Sequence, residues 1–431
     1  MGFFLLILYL ALTCLRPWDL YPALAPLRMS FWVGNFALVF SMLGFIASGS
    51  YSVVSVPALY FLITFFTVLV LSPALATGWV GGIFQAFTES MVNVVTCVLI
   101  FLCARSIGKV RIVGGALCLV LMIVVVQGAL AHYGYFATEE FVMTQRTEAD
   151  ETGQRGEFGR IRGLGQLNDP NDLAQALIVA APLLWPAWRH GRSMRNFLFV
   201  ITPTLVLLYG VYLTRSRGGF LSVLIIIVLR LRERMTRFRL MAPVATAVFL
   251  GAAMIAMGFT GGRNMSDSSS EGRLEAWYQG FQMLRSNPMF GVGFDNFVDH
   301  HIRAAHNSFI HCFAELGFTG YFFWIGLLIA IHTDLFAMST PDDADDEDQA
   351  ALARWATSVR FSFYAFLSGA FFLSRTYATA LYTIVGLAIT LSAMGRSSGW
   401  ITTNWQSLFV RTTLCSSLSI VAIYLFVIVA N

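Results

Sequence analysis

Apolar residues along this chain come in long unbroken blocks. They show neither the strict alternation of a half-buried strand nor the three-to-four spacing of a surface helix. Blocks near 3–15, 31–49, 54–72, 90–104, 110–133, 172–187, 195–213, 217–231, 240–259, 317–337, 356–373, 376–394 and 409–430 predict helical spans, 12 or 13 crossings in all. Most are long enough for a hydrocarbon layer of roughly 30 Å. Inside such a layer every backbone polar group must be paired within the chain, which helices of this length achieve. The expected fold is therefore an all-α polytopic integral membrane protein of about 12 transmembrane helices, with residues 1–431 forming one membrane domain. The first block, "MGFFLLILYLALTCL", has no basic leader and no small-residue cleavage site, and is read as a retained first helix.

Two segments depart from this pattern. Residues 134–171 form a long polar loop, and 260–316 form the longest soluble segment. Within the latter, Leu274, Trp277, Phe281 and Leu284 recur at helical spacing, which predicts an amphipathic helix over 272–285 outside the membrane.

Composition agrees with the pattern. The chain is 57% hydrophobic and only 12% charged, against roughly 25% charged residues in a soluble domain. Its formal charge of +4 comes almost wholly from arginine, Lys109 being its one lysine. A GC-rich genome would produce that bias, and so would selection for planar cations that clamp phosphate oxygens. Three short loops are basic: Arg105/Lys109/Arg111, Arg189/Arg192/Arg195 and Arg230/Arg232/Arg234/Arg237/Arg239. Counting the spans places all three on one side, cytoplasmic by the positive-inside rule. The acidic stretch "PDDADDEDQA" at 341–350 falls on the same side and reads as a solvated connector. Loops 134–171 and 260–316, the turn at 214–219 and the turn at Arg375 then face outward, away from the cytoplasm.

The six cysteines and seven histidines show no CxxC or HxxxH spacing, so neither a disulfide framework nor a metal site is expected. Ionisable residues are scarce within the spans, and no inverted-repeat signature is seen, which counts against a transporter or flippase.

The candidate chemistry gathers at the outward turns. In "TRSRGGF" two arginines precede a helix whose free N–H groups point outward, an arrangement suited to an anion. The glycines would let that anion approach the backbone, and Arg217 is placed ahead of Arg215. Arg273 lies near the start of the amphipathic helix, where a cation opposes the helix dipole and gains nothing structurally. In "AHNSFIH", Asn307 or Ser308 is suited to cap a helix that Gly317 and Gly320 then interrupt, leaving His306 at its lip. His311 and Glu315 lie on one face of that helix, so the carboxylate can hold the imidazole. In "GRIRGLGQLNDPNDLAQAL", Arg160, Arg162, Asn168, Asp169 and Asn171 surround a proline turn before a span. An N-cap accounts for part of that cluster, and sugar hydroxyls would suit the rest.

"SRGGF" opening a helix, "GR…W", "NPMFGVGFDNF" and "HNSFIHCFAELGFTG" in that order resemble the O-antigen ligase and polymerase superfamily. "LNDPNDLA" and "LRPWDLYPAL" resemble its ligase-type members, and the similarity covers about residues 159–337. The resemblance implies a bacterial inner-membrane glycosyltransferase with a periplasmic active site and no nucleic-acid partner. Its donor would be a glycan on undecaprenyl pyrophosphate, and its acceptor a sugar of the lipid A–core. His306 would act as general base, while Arg215, Arg217 and Arg273 would stabilise the pyrophosphate leaving group. No cofactor or metal would be needed, and the anomeric centre would invert. Arg160, Arg162, Asn168, Asp169, Asn171, Asn307 and His311 would be further substrate contacts. A polymerase or a protein O-glycan ligase of the same superfamily would share this donor chemistry.

Overall fold

A computed structural model of the chain describes residues 1–47, 56–135, 139–149, 155–234, 268–339 and 347–430. The predicted span 240–259 lies outside the described residues. Among those that are described, nine helical stretches are long and apolar enough to cross a membrane. They are Gly2–Leu20, Pro22–Ala47, Pro57–Thr77, Gly81–Cys103, Ile107–His132, Ser193–Thr214, Ser308–Met338, Thr379–Ser397 and Trp405–Val429. The protein is an all-α polytopic membrane protein, as its hydropathy implies.

Three more predicted spans are helical without reaching that length or apolarity. The block at 172–187 is an α-helix, Pro170–Ala180, that tightens into a 3-10 stretch, Ala181–Ala187, with Pro182 and Pro186. The block at 217–231 lies in Arg217–Arg234, and that at 356–373 overlaps Glu347–Ala370, which ends before residue 371. The helix expected from residue 90 starts at Gly81 instead. Its polar first turns are accommodated by local pairing, with Gln85 donating to Glu89 at 2.9 Å.

The chain divides into two compact units. The first comprises residues 1–48, 106–264 and 361–369. In it, α1 (Gly2–Leu15) packs on α2 (Met29–Ala47) and on α5 (Ile107–His132). The loop expected at 134–171 contains a short antiparallel hairpin, β1 (Val142–Ala149) with β2 (Arg155–Ile161). Fully buried Ile161 sits over Gly128 of α5 and anchors the hairpin there. The helices α6 (Pro170–Ala180), α7 (Thr202–Thr214) and α8 (Arg217–Arg234) complete the unit.

The second unit comprises residues 49–105, 265–360 and 370–431. It contains α3 (Pro57–Thr77), α4 (Gly81–Cys103), α9 (Ser268–Ser286), α10 (Ser308–Met338), most of α11 (Glu347–Ala370), α12 (Thr379–Ser397) and α13 (Trp405–Ala430). Its core is α10, which carries fully buried Phe313, Tyr321 and Trp324 and packs on α3, α9, α12 and α13.

α10 is broken at Gly317, whose φ of 63° and ψ of −164° take the chain out of the helix. The loop "NPMFGVG" repairs the break. Its Val292 and Gly293 N–H groups donate to the Ala314 and Glu315 carbonyls at 3.0 and 2.9 Å. The Phe318 and Thr319 N–H groups donate in turn to the Pro288 and Met289 carbonyls at 2.8 and 3.2 Å. A Cβ at residue 317 would lie 2.5 Å from the Met289 and Phe290 backbone, so glycine is required for the approach as well as for the dihedral. The interruption expected at Gly317 is present, and Gly320 is helical. The loop is tied to α3 as well, the Phe294 N–H donating to Ser72 Oγ at 3.0 Å.

Candidate functional site

In the first unit, the turn Thr214-Arg215-Ser216 between α7 and α8 carries the candidate arginines. Arg215 has left-handed backbone, φ 49° and ψ 36°, a conformation a long side chain adopts only under constraint. The constraint comes from its neighbours, Thr214 at 0% and Ser216 at 2% exposure. Thr214 Oγ1 donates to the Val211 carbonyl at 2.6 Å, and the Arg160 guanidinium Nε donates to the Thr214 carbonyl at 2.7 Å. Ser216 caps α8, its Oγ accepting from the Gly219 N–H at 3.1 Å and donating to Asn171 Oδ1 at 2.8 Å. The Arg215 guanidinium is left exposed, 5.0 Å above the Phe158 ring of β2. Arg217 is the first residue of α8 and is half-buried. Among the described residues neither arginine has an ion-pair partner.

Of the remaining first-unit candidates, Arg160, Arg162, Asp169 and Asn171 hydrogen-bond within the fold. Arg160 is buried, and besides Thr214 it donates to Gln145 Oε1 at 3.1 Å and Asn171 Oδ1 at 3.0 Å. Asp169 is the N-cap of α6 and accepts from the Asn171 N–H at 2.7 Å, with Pro170 as first helical residue. Asn168 ends a 3-10 turn and remains exposed. Arg162 donates to the Glu140 carbonyl at 2.8 Å. At Gly219 a Cβ would meet Ala174 of α6 at 2.8 Å, so packing against α6 calls for glycine there.

In the second unit, His306 repeats the geometry of Arg215. It is exposed, with φ at 48°, between two residues of 0% exposure, Ala305 and Asn307. The Trp277 indole of α9 donates to the Ala305 carbonyl at 2.8 Å. Asn307 is the N-cap of α10, its Oδ1 accepting from the Phe309 and Ile310 N–H groups at 2.9 and 3.2 Å. Its Nδ2 is buried without a partner. Arg273 lies on α9, which starts at Ser268, so it is in the second turn and half-buried. The helix begins four residues earlier than the apolar spacing indicated, and the dipole argument for Arg273 weakens accordingly, because that field fades beyond the first turn.

Behind the lip of α10 lies a closed polar network. His311 Nε2 is 3.2 Å from Glu315 Oε1, the pairing their spacing anticipated. Glu315, 1% exposed, also accepts from the Phe297 N–H at 3.2 Å and the Tyr377 hydroxyl at 2.9 Å. Burial and the adjoining Glu315 charge keep the Tyr377 phenol well above its ordinary range. His311 Nδ1 is 3.3 Å from Thr376 Oγ1, so both ring nitrogens are engaged. Tyr377 and Thr376 carry no local motif, so their part in the network was not legible in the sequence. Asp295 lies near these groups and has left-handed backbone, φ 60°. Although the residue is exposed, desolvation raises its carboxyl above the usual carboxylate range, and the Glu315 and Glu89 charges push the same way.

No curated protein matches the chain. A family model described as O-antigen ligase does match, over residues 202–325. That stretch holds Arg215, Arg217, Arg273, His306, Asn307 and His311, and over it the chain is similar to the O-antigen ligase family.

Proposed function

We propose that this protein is a glycan ligase that moves an O-antigen glycan from undecaprenyl pyrophosphate to a sugar of the lipid A–core. The reaction would take place at the periplasmic face of the bacterial inner membrane. The superfamily supports ligase- or polymerase-type glycan transfer by a multi-pass membrane enzyme. The observation that carries the finer reading is the shared geometry of Arg215 and His306. Each is an exposed, chemically active side chain in left-handed backbone, held between fully buried, hydrogen-bonded neighbours. Strain of this kind is costly, and where it persists it marks residues whose placement is enforced by the surrounding structure.

In the proposed reaction, His306 accepts the proton of the acceptor hydroxyl as its oxygen attacks the anomeric carbon. The new oxygen–carbon bond forms as the bond from that carbon to the phosphate oxygen breaks, with inversion. The electron pair leaves with undecaprenyl pyrophosphate, and the Arg215, Arg217 and Arg273 guanidiniums neutralise its growing charge. Charge stabilisation of this type contributes about 10²–10³ in rate per donor. Arginine would thus supply what a metal supplies elsewhere. Arg160 and Asn171 hold the arginine turn, Asn307 and His311 hold the lip of α10 beneath His306, and Arg162, Asn168 and Asp169 shape the surrounding surface.

The test is transfer by the purified full chain from lipid-linked glycan, with and without lipid A–core and with and without chelator. A core-linked product formed equally well in chelator supports the proposal. A ladder of glycan repeats formed without core would identify a polymerase instead, and activity restored by Mg²⁺ would overturn the metal-free step. Arg217→Gln and Arg273→Gln should impair use of the donor more than use of the acceptor.

A further inference from the structure

At the end of the second unit away from His306, the last turns of α10 and the first turns of α3 and α13 enclose a cavity of about 140 Å³. Its walls include Thr333, Asp334, Thr403, Asn404, Ser407 and Arg411. Asp334 and the Asn307 cap lie at opposite ends of α10, about 40 Å apart at 1.5 Å rise per residue, so this cavity is separate from the site at His306.

Polar atoms in and beside the cavity are left unsatisfied. Asp334, 5% exposed, accepts from Arg396 of α12 through Oδ1 at 2.6 Å. Asp334 Oδ2, Arg396 Nε, the Ser392 hydroxyl of α12 and the Thr403 hydroxyl are all buried without a hydrogen-bond partner. Buried polar groups in folded proteins nearly always have one, so orphans gathered in one place point to a ligand with donors and acceptors of its own. The cavity has several times the roughly 30 Å³ share of one water.

Charge gives the class of that ligand. Arg396 neutralises Asp334, whereas Arg411 has no carboxylate partner among the described residues. Arg411 lies in the second turn of α13, a helix apolar enough to cross a membrane, where a cation is costly unless an anion receives it. Asn404 caps α13, its Oδ1 accepting from the Ser407 N–H at 2.9 Å, so the positive end of that helix borders the same cavity. The occupant is therefore an anion that also carries a hydrogen-bond donor for Asp334. The surroundings give its source. Tyr60 of α3 and Trp405 of α13 meet edge to face at 5.6 Å and are exposed beside the cavity, as aromatic rings are where lipid meets water. Exposed Ile63 and Phe409 continue the same two helices one turn deeper and offer acyl chains an apolar bed.

We propose that this cavity holds the headgroup of a membrane phospholipid. Its phosphodiester sits against Arg411 and the start of α13, and its hydroxyl or ammonium group donates to Asp334 Oδ2. The site belongs to the leaflet opposite His306 and does not depend on the glycan-transfer reading.

The test uses the purified full-length chain, stripped of lipid in detergent, with phosphatidylglycerol, phosphatidylethanolamine and phosphatidylcholine of identical acyl chains. All three carry the phosphodiester, and only the choline headgroup lacks a donor. Native mass spectrometry reads retained lipid, and thermal unfolding reads stability. Wild type should retain the first two roughly tenfold better than phosphatidylcholine, the effect of one hydrogen bond to a charged group. Arg411→Gln should hold all three roughly tenfold more weakly, with its lipid-free midpoint unchanged. Thr403→Val, which keeps the shape of the wall, should weaken retention to a smaller degree. Equal retention of the three lipids by wild type overturns the proposal. Wild-type retention by Arg411→Gln, or by Thr403→Val where Arg411→Gln fails to fold, overturns it too. Inorganic phosphate that displaces the retained lipid assigns the cavity to a free anion, which likewise overturns it.

Discussion

Arg160 reaches 54 residues along the chain to hold the Thr214 carbonyl, Nε to oxygen 2.7 Å. That bond, with those to Asn171 and Gln145, ties the β-hairpin and the start of α6 to the turn that carries Arg215. Arg160 is thus a positioning residue, acting through the backbone of its neighbours. Arg160→Met should cost about 2–4 kcal/mol of stability, because three acceptors lose a charged donor in a buried site. Arg160→Lys, which keeps the charge but cannot span all three, should fall between. Thermal unfolding in detergent, run beside transfer kinetics, checks both. If Arg160→Met unfolds as wild type does, the clamp contributes nothing.

At His306 the backbone and the imidazole make opposite predictions. Left-handed backbone costs a non-glycine residue roughly 1–2 kcal/mol, part of which glycine recovers. His306→Gly should therefore unfold no earlier than wild type, and up to about 1 kcal/mol later, while losing transfer. His306→Ala removes the same imidazole and keeps the strain. Comparing transfer and unfolding midpoint in the two variants separates chemistry from conformation. Wild-type transfer by either would eliminate the base.

Asp295 gives a pH dependence of definite sign. Its carboxyl is raised from 3.8 in the fold, so the folded state holds its proton more tightly than the unfolded chain does. Stability from this group is present at acid pH and is lost as pH rises from about 3.8 through the raised value. Asp295→Asn removes the titration, and asparagine tolerates the left-handed backbone. The variant's unfolding midpoint should match wild type in acid and exceed it increasingly toward neutrality. A gap that narrows with rising pH would contradict the electrostatic account.

Gly317 bears two demands at once, its φ of 63° and the Met289–Phe290 backbone 2.5 Å from where a Cβ would sit. Gly317→Ala should separate the "NPMFGVG" loop from α10 and destabilise by about 3 kcal/mol or more. Gly320→Ala, at a helical position whose nearest neighbours are the Leu316 side chain, should cost less. Folded yield and unfolding midpoint of the two variants, compared directly, decide between them.

The sequence by itself determined the class of the fold, because unbroken apolar blocks permit only helices in hydrocarbon. It also narrowed the cap to Asn307 or Ser308 and located the break at Gly317 and the His311–Glu315 pair, since caps, breakers and i,i+4 neighbours are local rules. Only the tertiary structure shows which polar side chains already have partners within the fold. Arg160, Asn171 and His311 look like ligands in sequence because nothing local shows what occupies their polar atoms. Their partners lie 45 to 65 residues away, at Thr214, Ser216 and Thr376. The left-handed backbone of Arg215 and His306 was equally hidden. Neither residue type requests that conformation, and burial of the neighbours on either side imposes it.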